Sequence, residues 1–154
     1  MITLKNVVIE YSDKTENDFA IKIFNKIKKY CSVECDFNND KYCCVDYRIS
    51  ERSNPTNCIY LELKTRDKKY LKNKKMIINH KKMVNIDKCG YNNSILVWDF
   101  GGTIYYCKYT DGLIYYPQKI IQDQNVIEIY KTDCNRGFSN LVVDILEMLN
   151  IDSK

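Results

Sequence analysis

The stretch YLELKTRD, residues Tyr60–Asp67, alternates apolar and polar side chains, and it decides the fold that we expect for this chain. Alternation of this kind is typical of a β-strand with one buried face, and we predict a strand over 58–64. One face of that strand carries Ile59, Leu61 and Leu63, and the other carries Tyr60, Glu62 and Lys64. We expect the first face to pack against a helix. The second face then holds a carboxylate and an ammonium about 7 Å apart, from the ~3.3 Å rise per residue.

A second strand is predicted over 41–49, before a loop over 50–57 that contains Pro and Asn. Asp46 lies on this strand, on the same face as Tyr42, Cys44 and Arg48. If the two strands are neighbours in the register that the loop allows, Asp46 stands beside Glu62. Two adjacent carboxylates repel each other unless a cation or a proton lies between them.

Oxygen ligands of this kind suit Mg²⁺, which binds through one or two carboxylates together with substrate phosphate. We therefore expect Mg²⁺ or Mn²⁺ to bind Asp46 and Glu62, with the backbone carbonyl of Leu63 as a further oxygen ligand. Such a metal polarises a phosphodiester and lowers the pKa of a bound water. Lys64 would orient that water or neutralise charge that builds on the phosphate.

The other predicted elements complete an α/β chain with a mixed central sheet. They are an amphipathic helix over 15–30, a strand over 31–37 that pairs with the next through a turn at 38–40, a helix over 79–90 ending at Gly90, strands over 94–100 and 103–109 joined by Gly101-Gly102, a strand over 126–132, and a helix over 139–150 capped by Ser139. The 154 residues are the length of one domain, and we expect a single domain over 1–154.

Asp46, a Pro-containing loop and then Glu62-Leu63-Lys64 on the next strand resemble the motif of the PD-(D/E)XK nuclease superfamily. The resemblance covers residues 15–109 and implies a restriction-endonuclease-like core of order α-β-β-β-α-β, here with extra C-terminal strands and a helix. It implies that Asp46 and Glu62 bind Mg²⁺ and that Lys64 assists hydrolysis of a phosphodiester bond. Some branches add a glutamate from the first helix, for which Glu16 is the candidate and Asp18 the second choice. The sequence departs from the pattern at Val45, where many members have proline.

The second helix of the family often supplies another polar side chain, and His80, Lys81 and Lys82 are the available candidates here. A lysine-rich run follows the E-x-K strand: Lys68, Lys69, Lys72, Lys74 and Lys75, then Lys81 and Lys82. Such a run is either a solvated loop or a basic rim that holds a nucleic-acid backbone. Its position beside the carboxylates favours the rim. We expect Lys68, Lys69, His80, Lys81 and Lys82 to contact nucleic acid, with DNA favoured over RNA.

The net charge and the cysteines limit which cellular compartments and which classes of partner we expect. A net charge of +4 and a pI near 8.5 permit nucleic-acid binding without demanding it. The eight cysteines lack the paired short spacing of zinc sites, and no signal-peptide pattern is present. We expect reduced thiols in a cytoplasmic or nuclear-type compartment, which includes the host cytoplasm if the chain is viral, and not secretion. No segment approaches the ~18 apolar residues of a membrane span, so no membrane partner is expected.

Two hypotheses remain open at this point. The first is a metal-dependent nuclease, for which a homodimer would let two sites cut both strands of a duplex. The second is a catalytically inactive restriction-endonuclease-like module that binds nucleic acid or has a structural role, because members of a superfamily can lose activity and keep the fold. The position of the Asp46 carboxylate relative to Glu62 distinguishes them.

Overall fold

The computed structural model of the protein describes residues 14–35, 45–91, 93–109 and 118–152, except for the side chains of 14–17 and 35. Within these residues there are three α-helices: α1 (Lys14–Ile27), α2 (His80–Lys88) and α3 (Phe138–Met148). The described strands, in chain order, are β1 (Cys31–Cys35), β2 (Tyr47–Glu51), β3 (Asn54–Arg66), β4 (Lys75–Asn79), β5 (Ser94–Phe100), β6 (Thr103–Lys108), β7 (Gln118–Ile121), β8 (Gln124–Tyr130) and β9 (Asn135–Arg136). None of the described helices is long and apolar enough to cross a bilayer.

The strands form two sheets. The larger has six described strands in the order β1-β2-β3-β5-β6-β9, and the smaller has three in the order β4-β8-β7. β3 is antiparallel to β2 and parallel to β5, so the larger sheet is mixed. The predicted α/β class with a mixed sheet is therefore confirmed, as are the antiparallel pairing of the first two strands and the strand over Ser94–Phe100.

The two faces of the larger sheet are covered differently. The face that carries Ile59, Leu61 and Leu63 is buried in one core with α1 and α3, as the alternation predicts. The opposite face is buried in a second core with α2 and the smaller sheet. Each fully buried aliphatic side chain contributes about 1.5–3 kcal/mol relative to its exposed state, so both faces stabilise the sheet. The face with Glu62 therefore lies under α2, and α1 is on the other side.

The connection between β2 and β3 differs from the prediction. The predicted loop over 50–57 is wrong, because β2 continues to Glu51 and β3 begins at Asn54. Ser50 pairs with Cys58 and Glu51 pairs with Asn54, so residues 55–57 form a bulge. Pro55 has no N–H to donate, and a bulge is one of the few places in a sheet that accept proline.

The predicted strand over 41–49 is wrong at Asp46, which lies just before β2. Residues 36–44 lie outside the described residues. The predicted turn at 38–40 is among them, and so are Tyr42 and Cys44, which were expected on the same strand face as Asp46. Asp46 leaves the regular pairing because its side chain bonds to the backbone of β3, as the site below shows.

The basic stretch over 66–75, predicted as a loop, contains a 3-10 helix at Lys68–Lys72 and the start of β4. The strand was missed because only five residues alternate there, with buried Met76 and Ile78 on either side of exposed Ile77. β7 and β9 were not predicted either. The helix over 79–90 is confirmed as α2, which is followed by Gly90 at φ +75°.

Ser139 does not cap the last helix, so that prediction is wrong. The residue at the N-cap position is Gly137 with φ 102°, and no side chain makes a cap hydrogen bond there. Glycine adopts this backbone conformation without the steric cost that other residues incur. Ser139 lies in the first turn and is exposed.

Candidate active site

Asp46 is fixed against β3 by two hydrogen bonds. Its backbone N–H donates to the carbonyl of Leu61 over 3.0 Å, and its Oδ2 accepts from the N–H of Leu63 over 2.7 Å. In a continued antiparallel ladder, the Leu63 N–H would donate to a backbone carbonyl of the neighbouring strand. The carboxylate of Asp46 takes that place, which interrupts the pairing. Asp46 therefore lies at the segment of β3 that carries Glu62.

Glu62 is buried in the middle of β3, with 2% of its surface exposed. The Nζ of Lys82 lies 2.5 Å from its Oε2, and this ion pair supplies the counter-charge that a buried carboxylate requires. Oε2 has no hydrogen-bond partner among the described residues, so the contact is an ion pair without hydrogen-bond geometry. The second core holds this pair between β3 and α2.

Lys82 is the side chain that α2 directs at the sheet, out of the three candidates on that helix. The side chain of Asn79 accepts from the N–H of Lys81 over 2.8 Å, which fixes where the helix begins. Met83 and Ile86 are fully buried, and Lys82 lies on the helical face one turn before Ile86. His80 is partly exposed and Lys81 is exposed, whereas 24% of the Lys82 side chain is exposed. The expected contact of Lys82 with nucleic acid stays a prediction, and in the structure its ammonium pairs with Glu62.

The pKa of Asp46 shows that its carboxylate interacts with the same lysine that pairs with Glu62. Burial raises the pKa of Asp46, and the Leu63 N–H and the ammonium groups of Lys82 and Lys64 offset part of that rise. Lys64 is partly exposed and follows Glu62 by two residues on the same face of β3. We call Asp46, Glu62, Lys64 and Lys82 the Asp46 cluster. It combines two carboxylates and two ammonium groups at the centre of β3.

The cluster offers oxygen ligands of the kind that a hard divalent cation takes. The N–H and C=O of one strand residue point to the same side, so the carbonyl of Leu63 faces the side on which Asp46 lies. The buried Oε2 of Glu62, which lies 2.5 Å from the Lys82 ammonium, is an oxygen that a divalent cation would also contact. No group of three or more His, Cys, Asp and Glu side chains suited to a metal occurs within the described ranges, so Leu63 would have to complete the set.

The glutamate expected from the first helix stays a prediction. The side chain of Glu16 is outside the described residues, and Asp18, the second choice, is exposed. α1 packs on the face of the sheet opposite to that of Glu62. Nothing among the described residues brings α1 to the Asp46 cluster.

The basic segment after β3 is anchored. Asp67 caps its 3-10 helix by accepting from the N–H of Lys69 over 2.9 Å, and Lys68 and Lys69 are exposed. Beneath it, the Nζ of buried Lys131 donates to the carbonyls of Tyr70 and Leu71 over 3.1 and 2.9 Å. Desolvation lowers the pKa of Lys131. Nothing in the sequence singles out Lys131, since a lone lysine after a strand is usually solvated.

A cleft of about 650 Å³ opens beyond the cluster, between the larger sheet, the 3-10 helix and β4. We call it the Trp98 cleft; its walls include Arg66, Tyr70, Lys74, Ile77, Trp98 and Phe100. In the parallel pairing of β3 with β5, Lys64 lies beside Trp98 and Arg66 beside Phe100. Side chains at paired positions point to the same face of a sheet. The cleft is therefore on the same sheet face as Glu62 and Lys64.

Known proteins do not settle what this arrangement does. The sequence matches no model of a protein family, and the comparison with curated proteins finds no similar sequence. Any assignment of function therefore depends on the Asp46 cluster and its surroundings.

Proposed function

We propose that the protein is a metal-dependent nuclease of the PD-(D/E)XK type that hydrolyses phosphodiester bonds, with DNA favoured over RNA. The observation that carries this proposal is the placement of Asp46 against β3 at Leu63, beside buried Glu62 and two residues from the Lys64 ammonium. Two carboxylates and a lysine in this relation are the minimum that the resemblance in the sequence requires.

The order of elements supports a restriction-endonuclease-like core. The described chain runs through α1, β1, β2 and β3, then α2 and β5, with β4 added before α2 as part of the smaller sheet. β3 lies centrally, between antiparallel β2 and parallel β5. A central strand gives the site rigid support, which catalytic geometry needs.

Asp46, Glu62 and the Leu63 carbonyl would hold Mg²⁺ or Mn²⁺. When bound, the metal would supply Lewis-acid polarisation of the phosphodiester and a more acidic water. Asp46 is held ready by the Leu63 N–H, and Glu62 is held in place by the surrounding core. Lys64, at the more open end of the cluster, would neutralise charge that develops on the phosphate. Exposed Lys68, Lys69 and Lys81, with His80, would hold the nucleic-acid backbone.

A second candidate is an inactive module of the same fold that binds nucleic acid or has a structural role. The observation that favours it is the 2.5 Å ion pair, because Lys82 already balances the charge of Glu62. In such a module the ammonium of Lys82 would replace the divalent cation permanently. Strand cleavage distinguishes the two candidates.

The test is incubation with branched, linear and single-stranded DNA, and with matched RNA, with and without Mg²⁺ or Mn²⁺. We expect cleavage that needs the metal and is lost in Asp46→Asn and Lys64→Ala, while Lys26→Ala, which removes an exposed charge from α1, cleaves as the parent does. Metal-independent cleavage, or equal cleavage by both site variants and the parent, would refute the nuclease. Absence of cleavage on every substrate would favour the inactive module.

A further inference from the structure

The Trp98 cleft begins where the Asp46 cluster ends. Arg66 follows Lys64 by two residues along β3, which corresponds to about 7 Å from the ~3.3 Å rise per residue. The Trp98 cleft has a volume of about 650 Å³, which is within the range of about 300–1,000 Å³ that is usual for pockets that bind small organic ligands. A phosphate beside Lys64 would therefore have its neighbouring nucleotide at the mouth of this cleft.

The charges at the cleft favour an anionic ligand. Arg66 and Lys74 are exposed at its rim. Glu128, which also lines it, lies 3.6 Å from Lys75 and 3.8 Å from Lys119, so nearby ammonium groups match its negative charge. The net charge of these five side chains is positive, and arginine and lysine are the usual partners of phosphate groups.

Aromatic and aliphatic side chains form much of the rest of the cleft. Tyr70 and Ile77 form walls that are 44% and 37% exposed, and buried Trp98 forms part of the floor. The indole Nε1 of Trp98 donates to the carbonyl of Ile77 over 3.3 Å. Lys131 holds the backbone at Tyr70 from below. A flat ligand would therefore meet an aromatic ring and an aliphatic wall that are already in position, and Asn73 and Gln122 offer amide groups for a base edge.

We propose that the Trp98 cleft binds one unpaired nucleotide of the strand whose phosphate lies at the Asp46 cluster. The base would stack on Tyr70 against Ile77, and its phosphate would contact Arg66 and Lys74. The inference rests on the proposed function for the identity of the strand, and it specifies the substrate class as single-stranded or locally unpaired DNA. Side chains of the smaller sheet, among them Ile77 and Glu128, form one wall of the cleft, so a single base would fit between this wall and Tyr70 more readily than a base pair.

The chain contains a built-in reporter for this site. Trp98 is its single tryptophan, so fluorescence excited selectively in tryptophan, and not in the thirteen tyrosines, reports on the cleft floor. The probe is a short oligothymidylate added in EDTA, which prevents metal-dependent cleavage during the titration. Thymidine monophosphate and a blunt duplex of the same length as the oligothymidylate are titrated separately for comparison.

We expect saturable quenching of Trp98 by the oligothymidylate, with much weaker effects of the duplex and the mononucleotide. Tyr70→Ala should weaken this binding about tenfold, in line with the loss of one base–aromatic stack. Tyr130→Ala is the matched control, because Tyr130 is 47% exposed and does not line the cleft. Arg66→Gln should also weaken binding, whereas Arg52→Gln, at an exposed position outside the cleft, should not.

Equal affinity of Tyr70→Ala and the parent would overturn the proposal. So would duplex or mononucleotide binding as tight as that of the single strand. Binding in EDTA and cleavage in the presence of metal are separate measurements, so the nucleotide site and the nuclease can fail independently. If Tyr70-dependent quenching occurs but no substrate is ever cleaved, the nuclease fails and the nucleotide site stands. If cleavage occurs without dependence on Tyr70, the nucleotide site alone fails.

Discussion

Lys82 Nζ lies 2.5 Å from Oε2 of Glu62, and this ion pair joins α2 to the central strand beneath it. The two partners are not equally buried, since 24% of the Lys82 side chain is exposed against 3% for Glu62. Removing the charge of Lys82 should therefore change the free energy of unfolding by a different amount than removing the charge of Glu62.

We expect Lys82→Met to lower the free energy of unfolding by about 3 kcal/mol, because it leaves the Glu62 carboxylate buried without a counter-charge. Glu62→Gln should cost less, about 1 kcal/mol, because Lys82 can turn its ammonium toward water. The double variant should regain most of the loss in Lys82→Met. Urea unfolding of the three variants measures these differences, and equal losses in the two single variants would contradict the unequal burial.

Divalent metal should restore stability to Lys82→Met. With the ammonium removed, Mg²⁺ can supply the missing positive charge at Glu62. A ligand that binds the folded state alone adds about 1.4 kcal/mol at ten times its Kd. The double variant Glu62→Gln/Lys82→Met is the control, since it lacks the carboxylate and should gain little. A thermal melt with and without Mg²⁺ gives the comparison, and an equal gain in both variants would argue against metal binding at Glu62.

The stability of the metal-free protein should depend on pH through Asp46. Because burial raises the pKa of Asp46, the folded state holds this proton more tightly than the unfolded chain does. The resulting stabilisation is complete below the ordinary aspartate pKa and is lost as the pH rises through the raised pKa of the folded state. Asn does not titrate, so Asp46→Asn should gain stability relative to the parent over that pH range. Unfolding curves in EDTA at several pH values test this, and a constant difference between the two proteins would contradict it.

Lys131→Met should loosen the basic segment. The change removes two charge-assisted hydrogen bonds to the carbonyls of Tyr70 and Leu71, at a cost of about 1–2 kcal/mol. Trypsin should then cleave faster after Lys68 and Lys69, because the 3-10 helix opens more often. Lys119→Met, at an exposed edge strand, provides the control. Unchanged cleavage in Lys131→Met would show that the segment is held by other contacts.

The sequence predicts the two faces of β3 well, because the period-two alternation of Tyr60–Lys64 has a single physical reading. It does not predict that Asp46 stands outside its strand. That position depends on a side chain replacing a backbone acceptor, and no local preference for strand or turn shows such an exchange. The sequence also offers three polar residues at the start of α2 without choosing among them. The choice of Lys82 becomes visible only when buried Met83 and Ile86 set the orientation of the helix.

Other features cannot be predicted from the sequence, because the element is short or because its flanking residues suggest a different structure. β4 is short and lies among lysines, so its two buried side chains resemble isolated apolar residues in a loop. Ser139 is a residue type that caps helices, but the chain begins α3 at Gly137, where the backbone conformation suits glycine. Trp98 is buried in the second core, and its place in the cleft depends on β4, which the sequence does not reveal.

The hydrogen bond from the Leu63 N–H to Asp46 also bears on the integrity of the sheet. β3 is a central strand and Leu63 is buried, so an N–H left without an acceptor there would carry the cost of an unsatisfied buried donor. The residue proposed for chemistry therefore also satisfies the backbone of the strand that carries the site. Asp46→Asn keeps an acceptor at this position, whereas Asp46→Ala would leave the donor unsatisfied. An inactive Asp46→Ala preparation that unfolds easily would thus report a lost backbone contact as much as a lost catalytic group.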